Sequence, residues 1–370
     1  MGEDYRVKVS VVVPVHNRED LIEKCIKSVL NQNYKDFELI VVNDGSTDDT
    51  DKTISEFDDS RLKHIELNDN IGQSAARNVG VRNSSGNYIK HLDSDDELLE
   101  SHLSTVINKL ESQSNRCAGV FTGHYTRKKG WGDKRQNVKS GVLKMGDLLV
   151  DRDDIPGLSC LTIRREVLNK IGLHDESIIK ATDLDYYLEI LKEYYLYGMD
   201  KPLYIRNHND SMESRKVDNR IVGERRMISK WGHLLDDSHI AKRRFKVGDS
   251  LLEKRKHSEA GEEFDKCLGQ NMNKMDRALY CNKIGRSYSN YCLYDEGSRY
   301  LINAYKNKPV NIRYLVEYGI CKMTPQLWEP YMNYICGGYY SYYKSKLMHK
   351  YEESDIHLTK PLNNVKNLFK

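Results

Sequence analysis

The first half of the chain alternates short apolar runs with stretches in which apolar residues recur at helical spacing. Residues 9–13 and 37–42 are apolar runs of strand length and predict buried strands, and residues 62–67 predict a third strand. Residues 18–30 show helical periodicity, and a helix rich in small residues is predicted after Gly72. Strands that alternate with helices predict parallel βαβ units, and therefore an α/β domain with a doubly wound sheet.

Polar residues follow the predicted strands of this region. His16 and Asn17 come after the first strand, Asp44 after the second, and Asp93 and Asp95 after a later strand-like run. Ligands of such sheets bind at the carboxyl ends of the strands. Because the end of a sheet has no structural need for clustered aspartates, the pattern predicts a ligand site at this edge.

The most acidic of these clusters holds Asp93, Asp95 and Asp96, three carboxylates within four residues. Carboxylates so close repel one another, and oxygen-only ligands select a hard cation such as Mg²⁺ or Mn²⁺. Such an ion fills its other positions with water and substrate phosphates. The alternative is a solvated acidic loop that caps the next helix, because Asp and Glu favour helix N-termini.

The pattern is less regular between residues 97 and 230. Residues 118–122 and 158–164 predict strands, followed by a short helix over residues 165–171. A strongly apolar, aromatic helix is predicted from Ala181 to about residue 197. Two segments are polar and charged. Residues 127–140 are predicted to be an exposed loop, and residues 209–226 a mobile loop or linker.

Residues beyond about 240 show no strand pattern. Two sets of small and apolar residues repeat there with an offset of 37 residues: Gly248, Leu251, Ala260, Phe264, Cys267 and Gly285, Tyr288, Gly297, Leu301, Ala304. With Pro309 at the place of a closing proline, this repeat predicts a tetratricopeptide-like region. The alternative is an ordinary helical bundle. Because 370 residues favour two domains, we predict a catalytic domain over 1–230 and a helical, repeat-like domain over 231–370.

Composition excludes several classes of protein. The net charge of +3 gives no case for a nucleic-acid partner. The eight cysteines show no paired or metal-ligand spacing, so a reducing compartment is expected and zinc is not. The sequence shows no signal peptide and no apolar run of membrane-spanning length. We therefore expect a cytoplasmic protein with at most peripheral contact with the cytoplasmic membrane face.

Four motifs, in order and spacing, resemble the family-2 glycosyltransferases with the GT-A fold. They are residues 11–17 (VVVPVHN), 40–50 (IVVNDGSTDDT), 70–80 (NIGQSAARNVG) and 92–96 (LDSDD). The resemblance implies a Rossmann-like, mostly parallel sheet flanked by helices. It also implies inverting, metal-dependent transfer from a nucleotide diphosphate-sugar to an acceptor hydroxyl, in the assembly of a cell-surface glycan, glycolipid or glycoprotein. The last third of the chain lies outside the resemblance.

The resemblance also assigns the residues that bind the donor and the metal. Base and ribose would be held by the first two strand ends, and the diphosphate by the helix after Gly72 and by the acidic segment. The donor-binding residues are Pro14, Val15, His16, Asn17, Asp44, Gly72, Arg77, Asn78, Asp93 and Ser94. Asp95, Asp93 and His208 would hold the Mn²⁺ or Mg²⁺ ion. The family's usual pair of aspartates at residues 43–44 is Asn43-Asp44 here.

The acceptor hydroxyl needs a general base, and the resemblance assigns this role to Asp183. The family commonly has Glu-Asp at this place, where this chain has Thr182-Asp183. Asp185, on a different helix face, is the reserve candidate. The structural alternative is a helix N-terminal carboxylate without chemistry. The Gln-x-x-Arg-Trp motif of processive synthases is absent, because Lys230 precedes Trp231, so a non-processive enzyme is expected.

Two other functions compete with this interpretation. A sugar-phosphate nucleotidyltransferase would need a glycine-rich basic loop after the first strand, where residues 14–18 contain no glycine. A non-catalytic adaptor would not need the aspartates. The expected acceptor is a glycan, a lipid-linked molecule or a protein. The C-terminal helices are expected to bind a protein partner or a second copy, and the Tyr- and Lys-rich residues 339–346 either contact a membrane or pack on neighbouring helices.

Overall fold

The computed structural model describes residues 8–128, 131–145, 147, 157–178, 181–207, 217–291 and 293–307. The chain divides into two compact units, Met1–Leu235 and Asp236–Lys370. None of the helices in the described ranges is long and apolar enough to cross a membrane.

The first half of unit one is a parallel sheet. Its four strands are β1 (Val9–Val15), β2 (Phe37–Asp44), β3 (Leu62–Leu67) and β4 (Tyr88–His91). The helices that connect them are α1 (Ile22–Leu30), α2 (Thr50–Ser55) and α3 (Gln73–Arg82). All seven residues of β1 are buried between β2 and β4, which explains its unbroken apolar run. The predicted strands and helices of this region are confirmed, with bounds that differ by a few residues.

The second half of unit one extends this sheet. Its strands are β5 (Glu97–Leu98), β6 (Cys117–Lys128), β7 (Trp131–Gln136), β8 (Gly141–Leu143), β9 (Leu161–Arg164) and β10 (Tyr195–Asn207). Its helices are α4 (His102–Glu111), a 3₁₀ turn (Leu158–Cys160), α5 (Arg165–Ile171), α6 (Thr182–Leu191) and α7 (Val217–Trp231).

The strand order is β3-β2-β1-β4-β9-β6-β10-β5, with β7 beside β6 and β8 beside β10. Strand β9 is antiparallel to both β4 and β6, so β4 and β6 run in the same direction. Strand β10 is parallel to β6. The sheet is therefore mixed beyond β4 and less uniformly parallel than predicted, although the carboxyl ends of β1, β2, β4, β6 and β10 share one edge.

Three predictions in this half are wrong. Residues 131–136 were predicted to lie in an exposed loop but form β7, a charged edge strand of the kind that resists edge-to-edge pairing. The helix predicted to reach residue 197 ends at Leu191, because the apolar residues after it pair with β6 as part of β10. Residues 217–226, predicted to be loop or linker, belong to α7, which buries a narrow apolar stripe within a charged sequence.

Unit two is helical over its described residues, as predicted. It contains α8 (Asp237–Glu253), α9 (His257–Leu268), α10 (Lys274–Asn290) and α11 (Tyr294–Asn307), which pack as two antiparallel pairs. A Cβ at Gly248 would overlap Phe264, and a Cβ at Gly285 would overlap Leu301. The two sets of repeated residues thus make the same close helix contact. The tetratricopeptide-like assignment stays a prediction, and Pro309 and residues 339–346 lie outside the described residues.

Candidate functional site

The loops after β1 and β2 are tied together at the carboxyl edge of the sheet. His16 Nδ1 donates to the Asp44 carbonyl oxygen at 2.8 Å, which leaves Nε2 as the acceptor nitrogen of the ring. The amide N–H of Asn17 donates to Ser46 Oγ at 3.0 Å, and Asn17 Oδ1 accepts from the Thr47 N–H at 2.8 Å. These contacts hold the predicted His16 and Asn17 side by side with the β2 loop.

The Asp44 side chain organises the segment that leads into α3. One of its carboxylate oxygens accepts from the Ile71 N–H at 2.8 Å and the other from the Gly72 N–H at 3.0 Å. Gly45 has a φ of +62°, and a Cβ there would lie 2.6 Å from the amide nitrogen of Asn70. The carboxylate therefore fixes the entry to α3, while each oxygen keeps a second lone pair for a ligand.

Pro14, Val15 and Asn43 are less accessible than the loops that follow them. Pro14 and Val15 are buried at the end of β1 and pair with Val42 and Asn43. Asn43 Nδ2 donates to Asp51 Oδ1 at 3.2 Å, and its Oδ1 accepts from the Ser46 N–H at 3.2 Å. The asparagine that replaces the family's aspartate thus stabilises the β2 turn.

The acidic segment after β4 forms a compact group of ligand atoms. One carboxylate oxygen from each of Asp93, Asp95 and Asp96 lies within 4.8 Å of the others. Asp93 Oδ1 accepts from Arg77 and from Gln73 Nε2, the latter at 3.2 Å, and the Asp93 N–H donates to Ser159 Oγ at 2.9 Å. Contacts from α3 and from the 3₁₀ turn therefore hold this segment in place.

Asp96 is the member of this group that the predicted metal ligands omitted. It is 3% exposed, and burial, followed by the charges of Asp93 and Asp95, raises its pKa well above the usual range. A cation nearby would stabilise the ionised form of this carboxyl and so lower its pKa. The three carboxylate oxygens, one of them from the buried Asp96, fit a hard divalent ion such as Mg²⁺ or Mn²⁺. Its position within the acidic run was the only sequence signal for this role.

Helix α3 carries the predicted Gly72, Arg77 and Asn78. Gly72 precedes the helix with a φ of +92°, which glycine adopts readily. Arg77 is 2% exposed, and among the described residues nothing accepts from its Nε or Nη1. Behind it, the rings of His174 and Tyr186 stack with centroids 3.9 Å apart.

Asn78 lies on α3, as predicted, and is bound by residues 174–176. It is 1% exposed, its Nδ2 donates to the His174 carbonyl at 2.9 Å and to Glu176 Oε1 at 2.8 Å, and its Oδ1 accepts from the His174 N–H at 3.0 Å. The amide side chain is thus committed to residues 174–176. Ser94, also predicted to bind the donor, is 8% exposed in the acidic segment. The contacts of Asn78 stabilise residues 174–176, and the contacts of Asn78 and Ser94 with a donor stay predictions.

Asp183 lies in the first turn of α6 and is partly exposed. Its Oδ2 is 3.8 Å from the position that a Cβ would take at Gly157, the residue before the 3₁₀ turn. The same turn contains Ser159, which contacts Asp93. The predicted base and the acidic segment therefore flank one turn of chain.

Asp185 is unsuited to the reserve role of general base. It is 4% exposed and accepts from Trp231 Nε1 at 2.7 Å, while Lys230 Nζ lies 2.8 Å from the same oxygen. His208 lies outside the described residues. Its neighbour Asn207 ends β10 and donates through Nδ2 to the Asp95 carbonyl at 2.7 Å, a contact that the sequence had not indicated.

Comparisons with known proteins find relatives among the glycosyltransferases. The family model for Glycosyl transferase family 2 matches residues 10–172. The putative teichuronic acid biosynthesis glycosyltransferase TuaG of Bacillus subtilis is 31% identical over 218 residues, 58% of this chain and 84% of that protein. The GalNAc(5)-diNAcBac-PP-undecaprenol beta-1,3-glucosyltransferase of Campylobacter jejuni is 45% identical over 106 residues, 28% of this chain. That match spans only 34% of the Campylobacter enzyme.

Among solved structures, S. aureus TarS 1-349 in complex with UDP-GlcNAc superposes with a TM-score of 0.56 and 19% identity. The match covers 82% of this chain and 92% of that chain. At this identity the likeness concerns the fold alone, and it confirms the predicted fold class.

Proposed function

The chain belongs to glycosyltransferase family 2, and from this premise we propose that it transfers a sugar, with inversion, from a nucleoside diphosphate-sugar to an acceptor hydroxyl. The observation that carries the proposal is the placement of two sets of carboxylates around the 3₁₀ turn. Asp93, Asp95 and Asp96 converge on one side of the 3₁₀ turn, and Asp183 lies at its other end. Donor binding and proton transfer need separate acidic groups placed in this way.

The donor would lie along the carboxyl edge of β1, β2 and β4. His16, Asn17 and Asp44 hold the base and ribose, since their loops are already ordered and offer both donors and acceptors. The diphosphate lies near the start of α3, where Gly72 and the first helical N–H groups favour an anion. Arg77 supplies buried guanidinium N–H groups that the protein leaves without acceptors in the described ranges.

Asp95 and Asp93, together with Asp96, would hold Mn²⁺ or Mg²⁺, and His208 is kept as a predicted ligand. A bound divalent ion would neutralise the charge that develops on the departing nucleoside diphosphate. The protein's own part is to orient these oxygens. It does so through Ser159, Gln73 and Arg77, which contact Asp93.

Asp183 acts as the general base. Its carboxylate takes the proton of the acceptor hydroxyl while that oxygen attacks the anomeric carbon. The bond from the anomeric carbon to the diphosphate oxygen breaks at the same time, and its electron pair leaves with the nucleoside diphosphate. Because the attacking and leaving oxygens lie on opposite faces of the sugar, the configuration inverts.

We infer that the acceptor is a growing cell-surface glycan. TuaG is named for teichuronic acid biosynthesis and the Campylobacter enzyme for an undecaprenol-linked glycan, which favours this class of acceptor. Acceptor delivery or self-assembly is assigned to the helices of unit two. A place at the cytoplasmic membrane face stays a prediction.

The test is a panel of nucleotide-sugars with the full chain, read first as thermal shift with Mn²⁺ and then as release of nucleoside diphosphate. We expect one donor, or one nucleotide class, to raise the Tm only when Mn²⁺ or Mg²⁺ is present. Release should follow when a matching glycan acceptor is added. If every donor fails to shift the Tm, the proposed function is wrong.

A further inference from the structure

Helix α7 ends in a buried aromatic contact with the helix that carries Asp183. Trp231 is 1% exposed, and its indole N–H donates to Asp185 Oδ1 at 2.7 Å. A buried indole N–H needs such an acceptor. Lys192 lies over the Trp231 ring, with its ammonium 4.6 Å from the centroid. The end of α7 is therefore fastened to the first and last turns of α6.

Lys230 extends this contact to three carboxylates. Its Nζ lies 2.8 Å from Asp185 Oδ1, 3.1 Å from Glu189 Oε1 and 3.3 Å from Asp175 Oδ2. Burial alone would lower the pKa of Lys230, but the hydrogen bond with Asp185 and those with the other two carboxylates raise it. The ammonium is thus held charged between α6 and the segment before it.

The start of α6 needs such support. Ala181 precedes the helix with a φ of +62°, in the left-handed region, and its side chain has no acceptor with which to cap the first N–H groups. A left-handed alanine is strained and persists only when its surroundings determine it. Asp185 is four residues from Ala181 and donates its own N–H to the Ala181 carbonyl at 3.0 Å. The Asp185 contacts with α7 therefore act on the turn that contains Asp183.

The same network reaches the donor side of the site. Asp175, which Lys230 contacts, lies between His174 and Glu176, the two residues that Asn78 binds. The residue before Asn78 on α3 is Arg77, which contacts Asp93. Asn78 and Arg77 have partners of their own, so the donor side keeps its support when the contact of Lys230 with Asp175 is removed.

We propose that Trp231 and Lys230 are positioning residues, which set the place of Asp183 relative to the bound donor by anchoring Asp185. The inference rests on the proposed function, because it assumes that Asp183 is the general base. Asp185 then anchors α6, the helix that carries Asp183, and takes no proton itself. Loss of the anchor should displace Asp183 while the donor loops after β1 and β2 remain intact.

The experiment compares Trp231→Phe and Lys230→Met with the wild type in the full chain. Phenylalanine keeps most of the buried ring and removes the indole N–H, and methionine keeps the stem and removes the charge. Ser10→Ala is the matched control. Ser10 is buried, donates to Glu38 at 2.6 Å and lies near the start of β1, away from the carboxyl edge of the sheet. We expect both α7 variants to lower kcat at least about tenfold with donor KM unchanged, since small displacements of a reacting group are costly. Ser10→Ala should leave kcat within about twofold, because its effect is on stability alone.

Hydrogen exchange gives a second measurement that does not depend on activity. In the α7 variants the amides of residues 183–187 should lose protection, while those of α3 should not. The positioning role is wrong if the α7 variants keep the kcat of the wild type and the same protection of α6 from hydrogen exchange. It is also wrong if their kcat falls no further than that of Ser10→Ala at an equal loss of Tm. A wild-type chain without transferase activity would overturn the proposed function, whereas the exchange data would still report whether α7 anchors α6.

Where Trp231→Phe does not fold, Asp185→Asn and Asp185→Val replace it. The asparagine oxygen can still accept from the indole N–H, and valine cannot. We expect the valine variant to show the larger loss of kcat and of α6 protection. Equal values for the two variants would contradict the anchor.

Discussion

The two acidic parts of the candidate site are held in different ways. The segment with Asp93, Asp95 and Asp96 follows a fully buried strand and is fixed by residues from α3, from the 3₁₀ turn and from β10. Asp183 lies at a helix start with a left-handed residue before it, and its support comes through Asp185 from the end of α7. The acidic segment is thus held by contacts from several elements, whereas the position of Asp183 depends on few contacts.

This difference suggests a division of labour. A site for a charged donor has to hold its oxygens close together before the ligand arrives, and this requires many fixed contacts. The helix that carries Asp183 depends instead on the anchor at Asp185, so a change at that anchor should act mainly on Asp183. The predictions below test whether the two parts behave as separate modules, in descending order of expected effect.

The largest effect is expected from Asp183→Asn, which separates the two parts most cleanly. Asparagine cannot take a proton, so kcat should fall at least about a hundredfold, as expected for the loss of a general base. Nucleotide affinity and donor KM should stay as in the wild type, because the acidic segment is untouched. Steady-state kinetics at saturating Mn²⁺ provide the measurement. Normal turnover would show that Asp183 is a helix N-terminal carboxylate without chemistry.

A smaller effect is expected from Asn78→Ala, which breaks the contact between α3 and residues 174–176. The change leaves the His174 N–H and carbonyl without their buried partner and should cost about 1–3 kcal/mol of unfolding free energy. Chemical denaturation of the full chain measures this loss, and calorimetric titration measures nucleotide affinity, which should change little.

The matched control is Asn83→Ala, at the exposed C-terminal end of the same helix. We expect it to change stability by no more than about 0.5 kcal/mol. If Asn78→Ala keeps full stability but loses nucleotide binding, the original prediction of a donor contact would be right and the structural role wrong.

The smallest effect on the candidate site is expected from mild acid, which acts on stability. Burial lowers the pKa of His102 and of His174 well below 6.5, so the folded protein binds fewer protons than the unfolded chain as the pH falls below about 6.5. Stability should then decline by up to about 1.4 kcal/mol per pH unit for each histidine. Denaturation midpoints between pH 7 and pH 5 measure the slope. The His174→Phe variant should show a shallower slope, and an unchanged slope would contradict the assignment.

The parts of the fold that were predicted from sequence are those set by local pattern. Strands β1 and β2 are short apolar runs, β3 and β4 are short and partly polar, and the residues after the strands are polar because they lie at an open sheet edge. Each of these polar residues directly follows its own strand, so the local pattern predicted that His16, Asp44 and Asp93 would lie at this edge of the sheet. The same local logic placed the helical hairpins of unit two, where Gly248 and Gly285 meet Phe264 and Leu301.

The rest depends on contacts between residues far apart in sequence. Asp185 and Trp231 are 46 residues apart, and Asn78 and His174 are 96 apart. The local pattern predicts that Asn78 is a polar residue on a helix near the site. It does not predict that the side chain binds the backbone of His174. For the same reason the sequence left Asp185 as a reserve candidate beside Asp183. The apolar residues after Leu191 could likewise not be assigned to a strand before their partner, β6, was known.

Metal-dependent nucleotide binding by the acidic segment can be measured directly by calorimetry. UDP and GDP are titrated into the wild type, Asp95→Ala and Asp183→Asn, each with Mn²⁺ and with EDTA. The account predicts that the wild type and Asp183→Asn bind one of these nucleotides only in Mn²⁺, and that Asp95→Ala folds with an unchanged circular dichroism spectrum but binds neither. Equal affinity in Mn²⁺ and EDTA, or wild-type affinity in Asp95→Ala, would contradict the assignment of Asp93, Asp95 and Asp96 as a metal-dependent diphosphate site.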